Sequence, residues 1–123
     1  MFNRPQPVSC PYDNKREILV EDYIYLFRHQ IHTIKQGFKW DGMSIPRFAW
    51  VTTGTPFEQR HRVAGLIHDH LYRVGFCTRK EADDFMYDLL IGHGVSRYQS
   101  RKMLLAVHLF GKFSWNKYRK VEK

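Results

Sequence analysis

Cysteine is scarce in this chain. Cys10 and Cys77 are its only two, far apart, which excludes a disulfide framework and a cysteine-rich zinc site. Long apolar runs are missing too. The longest, Met103–Val107, falls far short of the roughly 20 residues a membrane-spanning helix needs. The opening Met1-Phe2-Asn3-Arg4-Pro5 has no apolar core of a signal peptide, so the sequence reads as intracellular when made. It holds neither a phosphate-cradling glycine loop nor a Gly-x-Ser-x-Gly nucleophile turn. Acid is almost absent from the last quarter. Residues 97–123 hold eight of the 20 Lys/Arg and one of the 12 Asp/Glu, so +7 of the net +8 lies there. That imbalance points to an anionic partner or to a solvated basic face.

What is present is enough for a core. A hydrophobic content of 43% and an aromatic content of 15% over 123 residues fit one folded domain, 1–123. Residues 1–14, with Pro5, Pro7 and Pro11, read as an irregular leading arm. The β-branched and aromatic run from Arg16 to Phe27 reads as two short strands turning at Glu21-Asp22, with a further strand from Gln30 to Lys35. Gly37 to Pro46 reads as a loop whose Asp41, Ser44 and carbonyls supply hard oxygen donors of the kind calcium takes.

Three helix starts follow. Thr55-Pro56-Phe57-Glu58, Thr78-Arg79-Lys80-Glu81 and Ser96-Arg97-Tyr98-Gln99 each place a hydroxyl three residues before Glu or Gln, the capping-box pattern. With glycines 75, 92, 94 and 111 as stops, the predicted helices run over 56–74, 79–92 and 97–111. The fold class is therefore α+β: three main helices packed with a small N-terminal antiparallel sheet, followed by a basic-aromatic tail at 112–123.

The first helix carries Val63-Ala64-Gly65-Leu66-Ile67-His68-Asp69-His70-Leu71-Tyr72, titratable groups inside an apolar stretch. Such groups need partners, because desolvation costs them several kcal/mol. His68 and Tyr72 share a face one turn apart, while Asp69 points about 100° away. A short link at Gly75-Phe76-Cys77 makes the next helix antiparallel and brings Asp83 across to His68. A His-Asp pair fixes the imidazole tautomer and favours its protonated form, which a water-activating base requires. Against this stands an ordinary i,i+4 pair between Asp83 and Arg79. His68-x-His70 diverges on a helix, so zinc is less favoured than calcium. His29, His32, His93 and His108 read as surface or packing residues.

His68-Asp69-His70-Leu71-Tyr72 resembles the His-Asp-x-x-Tyr helix of the calcium-dependent secreted phospholipases, and Asp83 resembles the aspartate supporting their histidine. The resemblance implies His68 as base, Asp69 as calcium ligand and Asp83 as orienting group, with a phospholipid or other ester as substrate. That family's cysteines have no counterpart here. A second resemblance covers more of the chain. Gly37-Phe38-x-x-Asp41-Gly42-x-Ser44-Ile45-Pro46, His68-Asp69-x-Leu71-Tyr72 and Arg79-x-x-Ala82-Asp83 are similar, in order, to an uncharacterised family of small phage and prophage proteins. It implies synthesis in the cytoplasm of an infected bacterium, with incorporation into the virion as an open alternative.

The leading expectation is a metal-dependent hydrolase. His68, Asp83 and Tyr72 form its catalytic group, and Asp69, Asp41 and Ser44 hold the ion. The alternative is a phage structural or accessory protein whose His-Asp-Tyr network only fixes the fold. The tail's Phe113, Trp115 and Tyr118, interleaved with cations, would meet an anionic lipid surface, stack nucleic-acid bases (less favoured), or pack on the domain. Virion proteins are the other partners the second resemblance implies.

Overall fold

The computed structural model describes residues 5–13, 16–40 and 59–121. Among the described residues five short strands precede three helices, in agreement with the α+β expectation. Strands β1 (Ser9–Pro11), β2 (Glu17–Leu19) and β5 (Lys39–Trp40) form an antiparallel sheet with β2 in the middle. Strands β3 (Tyr23–Phe27) and β4 (Gln30–Ile34) form a separate hairpin, Phe27 opposite Gln30 and Tyr23 opposite Ile34. The sequence pointed to one sheet. Two form because the bend at Val20–Asp22 separates β2 from β3.

The two faces of β3 look alike in sequence, and packing separates them. Tyr23, Tyr25 and Phe27 turn inward while Ile24 and Leu26 stay exposed. The inward rings meet the helices: Phe27 packs on Phe85 and Phe76, with centroids 4.8 and 6.2 Å apart. At the hairpin tip Arg28 and His29 both adopt left-handed φ, 55° and 64°, and the Arg28 guanidinium pairs with Glu81.

The helices are α1 (Gln59–Val74), α2 (Arg79–Gly92) and α3 (Arg97–Val121). Helix α2 starts as predicted: the Thr78 hydroxyl accepts from the Glu81 amide and the Glu81 carboxylate accepts from the Thr78 amide. At α3 the Ser96 hydroxyl accepts from the Gln99 amide. The Thr55 start lies outside the described residues. Helix α2 packs against both α1 and α3. Leu66, Ile67, Leu71, Met86, Leu90, Met103 and Val107 between the helices join Leu19, Ile34 and Trp40 from the strands in a single core. Each such side chain contributes about 1.5–3 kcal/mol by burial.

Two stretches read as irregular carry strand, Ser9–Pro11 in the leading arm and Lys39–Trp40 in the Gly37–Pro46 stretch, because both pair with β2. One helix end also differs from expectation. Gly111 was predicted to end the third helix, yet α3 continues through it to Val121, so much of the basic-aromatic tail is helix. Glycine sits there for space. A Cβ at Gly111 would lie 2.6 Å from the Tyr72 hydroxyl oxygen. The tail aromatics also divide. Trp115 and Tyr118 pack against the core, whereas Phe113 is exposed.

Candidate functional site

The antiparallel turn between α1 and α2 is tight because Gly75 takes a φ of +68° and its amide closes on the Leu71 carbonyl. It brings His68 and Asp83 together. His68 Nε2 lies 2.7 Å from Asp83 Oδ1, and the Tyr72 hydroxyl donates to the same oxygen at 2.7 Å. The His68 and Tyr72 rings stack obliquely, 4.2 Å between centroids, and Trp115 of α3 sets its ring edgewise on Tyr72. His68 is 1% exposed and Asp83 0%.

The proton inventory follows from these contacts. Burial alone would raise the Asp83 carboxyl, but the hydrogen bond and charge of His68, the Tyr72 hydrogen bond and the Arg79 charge outweigh it. The net result lies below the usual aspartate range, so the group is a carboxylate and accepts only. Burial, then the hydrogen bond to Asp83, pushes the Tyr72 phenol far up, which keeps it a donor. His68 Nε2 must therefore carry the hydrogen. In the neutral ring the lone pair then sits on Nδ1. That buried nitrogen has no hydrogen-bond partner among the described residues.

The second Asp83 oxygen faces the α2–α3 seam. Arg79 Nη1 stands 3.8 Å away and His108 Nδ1 3.5 Å away. The i,i+4 pair with Arg79 and the dyad with His68 thus coexist, one on each carboxylate oxygen. Arg79 also donates to the His108 carbonyl at 3.1 Å. His108, expected as a surface or packing residue, is half exposed yet touches the site; nothing in its sequence neighbourhood marked it.

Asp69 points elsewhere, as its angular position predicted. It is buried and faces Arg73 one turn on, Nη2 to Oδ2 3.2 Å. The Arg73 guanidinium lies over Phe38, 4.4 Å from the ring centroid. Asp41 and Ser44 lie outside the described residues. Among the described residues no three His, Cys, Asp or Glu side chains converge as a metal set. A calcium ligand needs its charge available to the ion, and within the described residues the Asp69 carboxylate is already turned to a guanidinium.

His70 joins a different cluster. Its Nδ1 lies 2.8 Å from the Tyr25 hydroxyl on β3, and burial, then the charges of His32 and Arg73, lower its pKa to about 4. His32 lies flat on Phe76, 4.5 Å between centroids. This cluster fastens the hairpin to α1. Arg119 of α3 fastens the last turn of α1 from another side: its Nη2 donates to the Tyr72 and Arg73 carbonyls at 2.6 and 3.0 Å.

A family match spans residues 18–107, described as "Protein of unknown function (DUF1353)". The chain belongs to the DUF1353 family. His68, Asp69, Tyr72, Asp83 and residues 37–46 all fall within the matched DUF1353 region. The chain is 29% identical over 106 residues to the uncharacterized protein y4iH of Sinorhizobium fredii, which covers 85% of this chain and 44% of that protein. It is 30% identical over 78 residues to the uncharacterized protein y4jT of the same organism, covering 63% of this chain and 23% of that one. This DUF1353 chain therefore spans less than half the length of these relatives. No solved structure matches it.

Proposed function

We propose that the chain is a hydrolase in which His68 Nδ1 takes a proton from water, with Asp83 and Tyr72 orienting the ring. One observation carries the reading: a histidine bound through Nε2 to a carboxylate, with its other nitrogen buried and unpartnered among the described residues. Buried polar atoms in native proteins are nearly always paired, and a catalytic role is one reason for an exception. When Nδ1 accepts a proton, the imidazolium lies against the Asp83 carboxylate, which offsets the charge. Tyr72 holds that carboxylate from the side. An ester, a phospholipid among them, is the proposed substrate class. It rests on the likeness to the secreted phospholipase helix, as the phage setting rests on the three ordered motifs. No step is assigned to a metal, because Asp69 faces Arg73.

A second reading has its own observation. With His68 at 1% and Asp83 at 0% exposure, water reaches the ring only if the surrounding chain opens. A closed His-Asp-Tyr network that fixes the register of α1 on α2 needs no substrate. The two readings separate in one experiment. Short-chain esters and phospholipid vesicles are offered to the wild type, His68→Gln and Tyr72→Phe, each checked for folding by thermal melting. The hydrolase reading expects wild-type turnover that falls at least about 100-fold in His68→Gln while that variant still melts cooperatively. Equal rates in wild type and His68→Gln, or none in either, leave the network as structure.

A further inference from the structure

Helix α3 carries a feature that the His68 site does not use. Its 25 residues span about 37 Å. From Arg97 to Val121 they include seven Lys/Arg and no Asp/Glu. Met103, Val107 and Gly111 turn one edge into the core. The opposite edge is not polar, as the outer face of a solvated helix normally is. Tyr98, Leu105, Leu109 and Phe113 are 73, 59, 56 and 68% exposed. At 100° per residue they fall within about 80° of one another, an apolar stripe interrupted by Lys102.

Cations border that stripe on both sides. By the same rotation Arg101 and Lys112 flank it on one side and Lys117 on the other, while Lys102 falls within its span, between Tyr98 and Leu105 along the axis. Two of them lie over its rings: Lys102 Nζ is 4.7 Å from the Tyr98 centroid and Lys112 Nζ 5.6 Å from that of Phe113. The stem and the charge of each thus lie against the stripe's own rings.

We infer that the outer face of α3 is a docking surface for an anionic lipid bilayer. Leu105, Leu109 and Phe113 enter the headgroup boundary, and Arg101, Lys102, Lys112 and Lys117 meet the phosphates. A convex stripe with like charge along both borders matches a surface whose anions can move to any spacing. An acidic protein would need carboxylates fixed in register along each border, and a single-stranded nucleic acid would not use Leu105 or Leu109. The helix has the makings of an interfacial one rather than a spanning one. Among the described residues no helix is long and apolar enough to cross a membrane. This assignment stands whether or not His68 is catalytic.

The test is vesicle flotation of the full chain. Vesicles are either equal parts phosphatidylglycerol and phosphatidylcholine, or phosphatidylcholine alone. Binding is expected to the anionic vesicles, weakening at least about tenfold when salt rises from about 0.1 to 0.5 M. Leu105→Ser/Leu109→Ser/Phe113→Ser and, separately, Arg101→Glu/Lys112→Glu are each expected to lose at least about tenfold in partitioning while melting like the wild type. No binding to anionic vesicles overturns the proposal, as does equal binding to both vesicle types. So does a serine variant that binds as well as wild type. A dimer in sedimentation equilibrium that the serine variant dissolves gives the face to a second copy. Retention of a single-stranded oligonucleotide by that variant, with vesicle binding absent, gives the cations to nucleic acid.

Discussion

The Gly111 Cα on α3 stands so close to Tyr72 on α1 that the smallest side chain would place a carbon 2.6 Å from the phenol oxygen and 3.3 Å from two ring carbons. The hydroxyl that meets Asp83 is thus held from behind by bare backbone.

Gly111→Ala inverts the usual rule for helices. Alanine inside a helix normally gains about 1 kcal/mol over glycine. Here the methyl group displaces Tyr72, and a net loss of about 1–3 kcal/mol is expected in urea unfolding. A double-mutant cycle with Tyr72→Phe checks the cause: without the hydroxyl, the alanine costs less.

Asp83→Asn leaves His68 and Tyr72 sharing a neutral oxygen and should cost about 1.5–3 kcal/mol, the range for a hydrogen bond to a charged group. It also removes an acid limb. The Asp83 carboxyl is held below its ordinary value in the folded state, so its stabilisation is complete above the unfolded pKa of 3.8 and is lost as pH falls through the lower folded value. Stability measured below about pH 4 should therefore fall more steeply in the wild type than in Asp83→Asn.

His70 gives a second, separate window. Its pKa is lowered to about 4 from 6.5 in the folded chain, so between these values the unfolded chain binds more protons. Stability should decline as pH drops from about 6.5 to 4 and then level off for this group. His70→Gln is expected to flatten that interval, and NMR titration of the ring should give a midpoint near 4.

Removing residues 112–123 is not a neutral deletion. It takes away Trp115, which meets the Tyr72 ring, and Arg119, which satisfies two carbonyls at the end of α1. Arg119→Met alone should cost about 1–3 kcal/mol, the penalty for hydrogen-bond acceptors left without partners. The truncated chain should melt well below that variant. For this reason the lipid-docking experiment uses point changes on the outer face of α3.

Much of this was legible in the residues, because the decisive signals were local. Thr78 and Glu81 lie three apart and form their capping box; His68 and Tyr72 lie four apart and share a face; the short 75–77 link puts Asp83 opposite both. What could not be read depends on contacts distant in sequence. Gly111 looks like a stop until Tyr72 is known to need its space. Arg119 looks like one more tail cation until its guanidinium is seen over Trp115, 4.3 Å from the ring centroid, and against the α1 carbonyls. His108, 25 residues from Asp83, carries no mark of their proximity. The faces of β3 differ only because one of them meets Phe85 and His70.

Arg119 has a consequence for biosynthesis. His68, Tyr72 and Asp83 are all translated before 111–119, the stretch that walls in the phenol and satisfies the α1 carbonyls. A nascent chain halted between these positions holds the acid with one side still open to water, and the ribosome must add 36 residues beyond Asp83 to reach Arg119 and close it.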